Sequence, residues 1–380
     1  MRILLSTTPL DGHFRPLLPL ARALQAAGHE LAVATEASWH PHVVAEGFDA
    51  LPAGRPHAEA LAHLGRFREE IQALPEGERR PHLFTRIFAE AHATAKLPEL
   101  LDVARAWRPD AIVYESGDLA APAVAAALGL RAANHSFGVM VPFAAVERAA
   151  DHMAPLWRSV GAEPDGHAGA FRGLYVDLSP PSFAWEQPLG DSIRLGHMPA
   201  ASQAVPDWLD TLEQPLVYVT LGTVFNRPEV FRPLLDGLDG SVSALVTTGR
   251  NVDPESLGSW STNVRVERFV PQAHVLPRCA AVVAHAGSGS VLGALAHGLP
   301  LVLVPQGADQ FDNAARCAAA GAAIVIRPEE LTADAVRLAL RRILDEPSFA
   351  EAARGVQAEI AAMPTVEEVA ARLEAYVASG

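Results

Sequence analysis

The sequence has almost no lysine and almost no cysteine. Of 30 basic residues one, Lys96, is a lysine and the rest are arginines, a bias that speaks of a GC-rich genome rather than of function. Two cysteines, Cys279 and Cys317, are too few for a disulfide scaffold or a cysteine-based zinc cluster. No apolar run reaches the ~18 residues of a membrane span, and the longest candidate, 119–130, is fenced by Asp118 and Arg131. Met1-Arg2 opens no secretory h-region, so a cytoplasmic protein without a membrane partner is expected. There is no H-E-x-x-H, no G-x-S-x-G, no Gly-Lys-Ser/Thr loop and no D-x-D pair for a metal–diphosphate bridge, and the histidines lack ligand spacing. Positive charge is also short. Thirty basic against 44 acidic residues leave −14, a field that repels a phosphate backbone and excludes nucleic acid as a partner.

What is present is apolar. With 49% hydrophobic and 19% charged residues, a chain of 380 can fill about two domains of roughly 150 residues, and disorder is excluded. Strand-like runs at 3–7 and 31–35 flank a helical leucine pattern over 16–27 that ends at Gly28. This βαβ opening predicts a parallel sheet covered by helices. Residues 56–107 read as helical, 111–114 and 131–134 as strands, and 119–128 as an alanine-rich helix. Prolines crowd the stretch 160–215, and the boundary is placed near 197–212, giving domains 1–205 and 206–364. Further strands are predicted at 216–221, 244–248, 264–268, 281–285, 301–304 and 323–326, with a terminal helix over 365–380 after Pro364. The fold class is α/β, two doubly wound Rossmann-like domains facing across a cleft, with ligand at the carboxyl ends of their strands.

Three segments could carry chemistry. His285-Ala286-Gly287-Ser288-Gly289-Ser290 lies between a strand and a helix, where small residues leave backbone N–H groups open to a phosphate at the positive helix end. The alternative is a turn that only caps a helix. The spacing is not that of G-x-G-x-x-G, because the third glycine, Gly293, falls one residue late. Asp11-Gly12-His13-Phe14-Arg15-Pro16 follows the first strand and puts His13 at a carboxyl end, where a histidine can act as general base. Glu115 and Asp118 follow a second strand, and either could orient His13; as plain loop residues both would be solvated. Asp309 and Gln310 follow a third strand and suit sugar hydroxyls, unless Asp309 merely caps the next helix. Phe67, Phe84, Phe88, Phe137, Met140, Phe143, Met153 and Trp157 could line an apolar pocket or could equally be core.

Together these residues resemble the family-1 nucleotide-sugar glycosyltransferases of the GT-B fold, nearest the bacterial enzymes that glycosylate macrolides, enediynes and aromatic polyketides. Gly12-His13-x-x-Pro16, the run 217–223, Phe269-Val270-Pro271-Gln272, the 285–290 turn and Pro305…Asp309-Gln310-Phe311-x-Asn313 carry the likeness along the whole chain. The resemblance implies an inverting transferase that needs no metal or other cofactor. His13 would be the base, supported by Glu115 or, failing that, Asp118. His285, Gly287, Ser288, Gly289 and Ser290 would hold the diphosphate of a dTDP- or UDP-sugar. Phe269, Val270 and Gln272 would lie by the nucleobase, Gly222 and Thr223 near the phosphates, and Asp309 and Gln310 at the sugar. The aromatic set would take a lipophilic acceptor, and the terminal helix would return to the N-terminal domain. Plant relatives carry a glutamate where this chain has Gly293, and the lost ribose contact favours a deoxyribose donor, dTDP.

Other readings remain open. A drug-inactivating, UDP-sugar-dependent glucosyltransferase, a nucleotide-sugar 2-epimerase and a cell-wall-type transferase share the fold. An NAD-dependent oxidoreductase would use Glu36 for its ribose but lacks the glycine fingerprint. A degenerate binding protein is the third class. The oligomeric state stays open, a homodimer included.

Overall fold

The computed structural model describes residues 1–139, 141–183, 190–197, 205–222, 228–238, 240, 242–249, 252–258 and 260–379. Packing divides them into two units. One holds Met1–Ser179, the described part of Trp185–Leu195 and the chain from Pro364 on; the other runs from Gly196 to Met363 and takes in residues 180–183.

The first unit is built on seven parallel strands: β1 (Arg2–Ser6), β2 (Glu30–Thr35), β3 (Asp49–Pro52), β4 (Ala111–Glu115), β5 (Arg131–His135), β6 (Leu174–Asp177) and β7 (Ser192–Arg194), in the order 3-2-1-4-5-6-7. Strands 3, 6 and 7 were not predicted; β3 and β7 have no buried residue, so neither shows the apolar run of a strand covered on both faces. Side chains alternate faces along a strand. Leu4, Ile112 and Tyr114 enter one core with the helices Thr94–Trp107, Ala120–Leu128 and Phe143–Ser159. Ile3, Leu5, Val33 and Val113 enter the other core with Leu18, Leu20 and Leu24 of the helix Leu18–Ala26. Burial on both faces is why these strands read as unbroken apolar runs.

The same second core receives Val366, Val369, Ala370 and Leu373 of the terminal helix Val366–Ala378. That helix starts with a reciprocal cap between Thr365 and Glu368. Between β3 and β4 the chain forms several helices, among them a nine-residue π-helix, Thr85–Ala93. Widened i→i+5 turns gather at functional sites.

The second unit carries six parallel strands: β8 (Leu216–Thr220), β9 (Ser243–Thr247), β10 (Val264–Glu267), β11 (Ala281–Ala284), β12 (Leu301–Leu303) and β13 (Ala323–Val325), in the order 10-9-8-11-12-13. Val217, Val219, Val283 and Val302 pack on Phe231, Leu234, Leu340 and Ile343. In each sheet the strand order reverses once, between β1 and β4 and between β8 and β11. Such switch points open a crevice at the carboxyl ends, and His13, Asp118, Gly222 and His285 follow these four strands. Among the described residues no helix is long and apolar enough to cross a membrane.

Candidate active site

At the first switch point Ser6 pairs with Tyr114, which sets the loops after β1 and β4 side by side. Residues 11–14 then form a single helical turn that carries His13. Its Nδ1 lies 2.8 Å from Oε2 of Glu115. The Glu115 side chain is fully buried and saturated. Oε1 accepts from the N–H and the hydroxyl of Thr8, both at 3.0 Å, and Oε2 accepts from the Gly117 N–H at 2.6 Å. Burial alone would raise its pKa. The charge and hydrogen bond of His13, with the N–H groups of Gly117 and Thr8, outweigh burial and hold it at about 2. An ionised Glu115 keeps the proton of a neutral His13 on Nδ1, which leaves the Nε2 lone pair free to accept. A side chain at Gly117 would sit 3.0 Å from both Glu115 Oε2 and the Phe88 ring, so only glycine closes this turn without displacement.

Asp118 does not serve His13. Its Oδ2 accepts from Ser6 Oγ and from Lys96 Nζ, each at 2.6 Å. Lys96 passed as a compositional accident in the sequence, although its being the sole lysine was the signal that could have marked it.

The structure separates the proposed aromatic set. Phe137 and Phe88 flank the His13 ring at 4.3 and 5.4 Å, and Phe84 packs at a tilt against Phe88 at 4.9 Å. Phe67 lies instead under the Arg86 guanidinium, 3.8 Å away, and Phe143 packs on Phe171 at 5.0 Å. Met153 and Trp157 are 0% exposed core residues with no face left for a ligand, which corrects their assignment to the pocket. Met140 lies outside the described residues. Two histidines that sequence reasoning missed extend the aromatic row. His92 stacks on Phe88 at 6.1 Å, and its Nε2 lies 3.1 Å from Nδ1 of His57. Burial first, and mutual or neighbouring positive charge second, push His57 down to about 4 and His92 to about 3, so both are neutral near pH 7.

At the second switch point His285 follows β11. Burial pushes its pKa down to about 4, against the pull of Asp309. A side chain at Gly287 would fall 2.4 Å from His285 Nε2, and one at Gly222 (φ +72°) 2.6 Å from Cε1, so two glycines close on this ring. The helix Ser288–Ala296 starts at Ser288, and Gly287 in the cap position offers no side chain to its N–H groups. Gly289 in this first turn is exposed, so the positive helix end is open to an anion. Ser288 Oγ donates to Asp309 at 2.8 Å, and Asn313 Nδ2 donates to Asp309 at 2.8 Å and to the Ala286 carbonyl at 2.9 Å. Ala286 holds the left-handed φ of 65° that this clamp secures. Asp309 therefore braces the turn and makes no side-chain cap to its own helix.

Gln310 is 2% exposed, and its oxygen accepts from the N–H groups of Gln306 and Gly307, so it ties its own loop. Phe269 is 60% exposed, whereas the neighbouring Val270 is buried at 2% and gives its side chain to the core rather than to a base. Gln272 donates to Ser290 Oγ at 3.3 Å and lies beside Gly293. Thr223 lies outside the described residues. Among the described residues no group of three or more His, Cys, Asp and Glu side chains forms a metal site.

Comparison with known proteins agrees with this architecture. The family model for the erythromycin biosynthesis protein CIII-like N-terminal domain matches residues 22–222, and the model for its C-terminal domain matches 235–376. The L-demethylnoviosyl transferase of Streptomyces niveus is 32% identical, covering 94% of this chain and 98% of its own. The glycosyltransferase VinC, solved with dTDP, superposes with a TM-score of 0.82 at 27% identity over 100% of both chains. The spinosyn rhamnosyltransferase SpnG, solved with spinosyn aglycone, gives 0.80 at 26% identity over 98% of this chain and 100% of that one. The chain belongs to the erythromycin biosynthesis protein CIII-like family: it is a natural-product glycosyltransferase, family 1, of the GT-B fold.

Proposed function

We propose that this enzyme moves a deoxysugar from a dTDP-sugar to a hydroxyl of a lipophilic natural product, with inversion and without a metal. The pairing of His13 with a fully buried, ionised Glu115 carries the reading. Nε2 of His13 takes the acceptor proton as the oxygen forms its bond to the anomeric carbon. The bond from that carbon to the diphosphate oxygen breaks, and the electron pair leaves with the nucleotide. Glu115 stabilises the imidazolium that results. N–H groups at the start of the helix Ser288–Ala296, with Ser290, receive the negative charge in place of a cation. Phe137, Phe88 and Phe84 offer an apolar surface beside the base.

The dTDP and aglycone bound to VinC and SpnG support these substrate classes. Gly293 in place of a carboxylate supports dTDP over UDP, since a deoxyribose has no 2′-hydroxyl to satisfy.

The test is His13→Ala, assayed with a dTDP-sugar and an alcohol acceptor beside calorimetric binding of dTDP and UDP. The turnover should fall by about 10²–10⁴-fold, with dTDP affinity intact and tighter than that for UDP. Near-full turnover in the variant would remove the general base, and a preference for UDP would reverse the donor assignment.

A further inference from the structure

The one lysine of the chain is buried, 3% exposed, in the helix Thr94–Trp107. Lysine is among the side chains least often found there, because its charge must leave water. Its ammonium has three donors, and all three find acceptors: the Thr7 carbonyl at 2.8 Å, the Ala34 carbonyl at 3.2 Å and Asp118 Oδ2 at 2.6 Å. Gly54, at φ +109°, lies against the stem, with a virtual Cβ 3.6 Å from its Cγ and Cδ.

Two of these acceptors, Thr7 and Asp118, stand on the two loops that carry the reacting pair, and the third, Ala34, belongs to β2. Thr7 precedes Thr8, whose N–H and hydroxyl hold Glu115, and the Thr8 carbonyl accepts from Leu10 N, whose own carbonyl accepts from His13 N. Asp118 stands on the other loop, its N–H bonded to the Glu115 carbonyl at 2.8 Å. A single ammonium thus joins the loop of His13 to the loop of Glu115.

We propose that Lys96 is a positioning residue for the His13–Glu115 pair, tying the loop after β1 to the loop after β4 so that the imidazole and carboxylate stay in register. The inference rests on the general-base reading above. Lysine suits the place because three acceptors converge on one point; the planar five-donor fork of arginine does not match them. Lys96 touches no reacting atom, so its loss acts through geometry, where a displacement near 1 Å costs about 10²-fold.

The experiment compares Lys96→Met, Lys96→Arg and the double variant Lys96→Met/Asp118→Leu, each measured for kcat, acceptor KM, dTDP affinity and melting. The double variant leaves no unpaired buried carboxylate and so keeps a folded protein in hand if the single variant fails. All three should lose kcat by roughly ten- to hundredfold while dTDP affinity stays within about twofold, because the nucleotide site lies in the other unit. A purely structural lysine predicts instead a lowered melting point with kcat of the folded fraction unchanged, and that result overturns the proposal. Combination with His13→Ala adds the second criterion. Lys96→Met should cost nothing further in that background, and additive losses also overturn the proposal. His13→Ala that keeps its rate ends both readings. His13→Ala that loses its rate beside fully active lysine variants ends this one alone.

Discussion

Glu115→Gln tests the electrostatics of the site directly. The wild-type carboxyl is fully buried and has its pKa lowered from an ordinary 4.5 to about 2, so its ionised form is favoured in the folded state. A lowered pKa means the folded chain releases the proton more readily than the unfolded one. The stabilisation is complete above the unfolded value and fades as pH falls through the folded one. Spread over its whole range it amounts to about 3 kcal/mol, at about 1.4 kcal/mol for each decade in the equilibrium. The part accessible to measurement is smaller. Between about pH 5 and about pH 3.5 the wild type should lose roughly 1 kcal/mol through this group alone.

The glutamine variant has no proton to exchange at this position. It begins less stable at neutral pH, because an amide offers one acceptor oxygen where three N–H and O–H donors and the His13 ring now converge. Its stability should then decline less steeply with acid. Hydrogen exchange of the β4 amides reports this locally and avoids treating two units as one transition. The difference between the two proteins should narrow by about 1 kcal/mol across that window. Parallel acid limbs would refute an ionised Glu115 held by His13, and with it the tautomer on which the base depends.

Two further substitutions probe the other assignments. Gly287→Ala places a methyl group 2.4 Å from His285 Nε2, and the buried ring has no room to yield; dTDP affinity should fall at least tenfold by calorimetry, and an unchanged affinity would remove this turn from the donor site. Trp157→Ala empties a fully buried position and should cost about 3–5 kcal/mol in unfolding measurements. Acceptor KM should not move, whereas a raised KM with little loss of stability would restore the tryptophan to the acceptor pocket.

The parts of this protein legible from sequence share one property: their signal is local. Unbroken apolar runs announce strands buried on both faces, and glycine and serine between a strand and a helix announce an open helix end. The choice between Glu115 and Asp118 had no such signal. Glu115 ends β4 and Asp118 stands three residues further on, and only the pairing of Ser6 with Tyr114 decides which one meets the imidazole. The same limit hid Lys96, whose acceptors are contributed by β2, the loop after β1 and the loop after β4. It also blurred the aromatic set. Phe88 and Trp157 are both apolar rings on helical segments, yet one flanks His13 and the other fills a core. Residue type marked where chemistry could occur, and strand register decided which side chains take part. The carboxylate that orients the base and the one that anchors the lysine are therefore not interchangeable. Asp118→Asn should disturb His13 only through Lys96 and the loops it ties, while Glu115→Gln removes the charge that faces the ring.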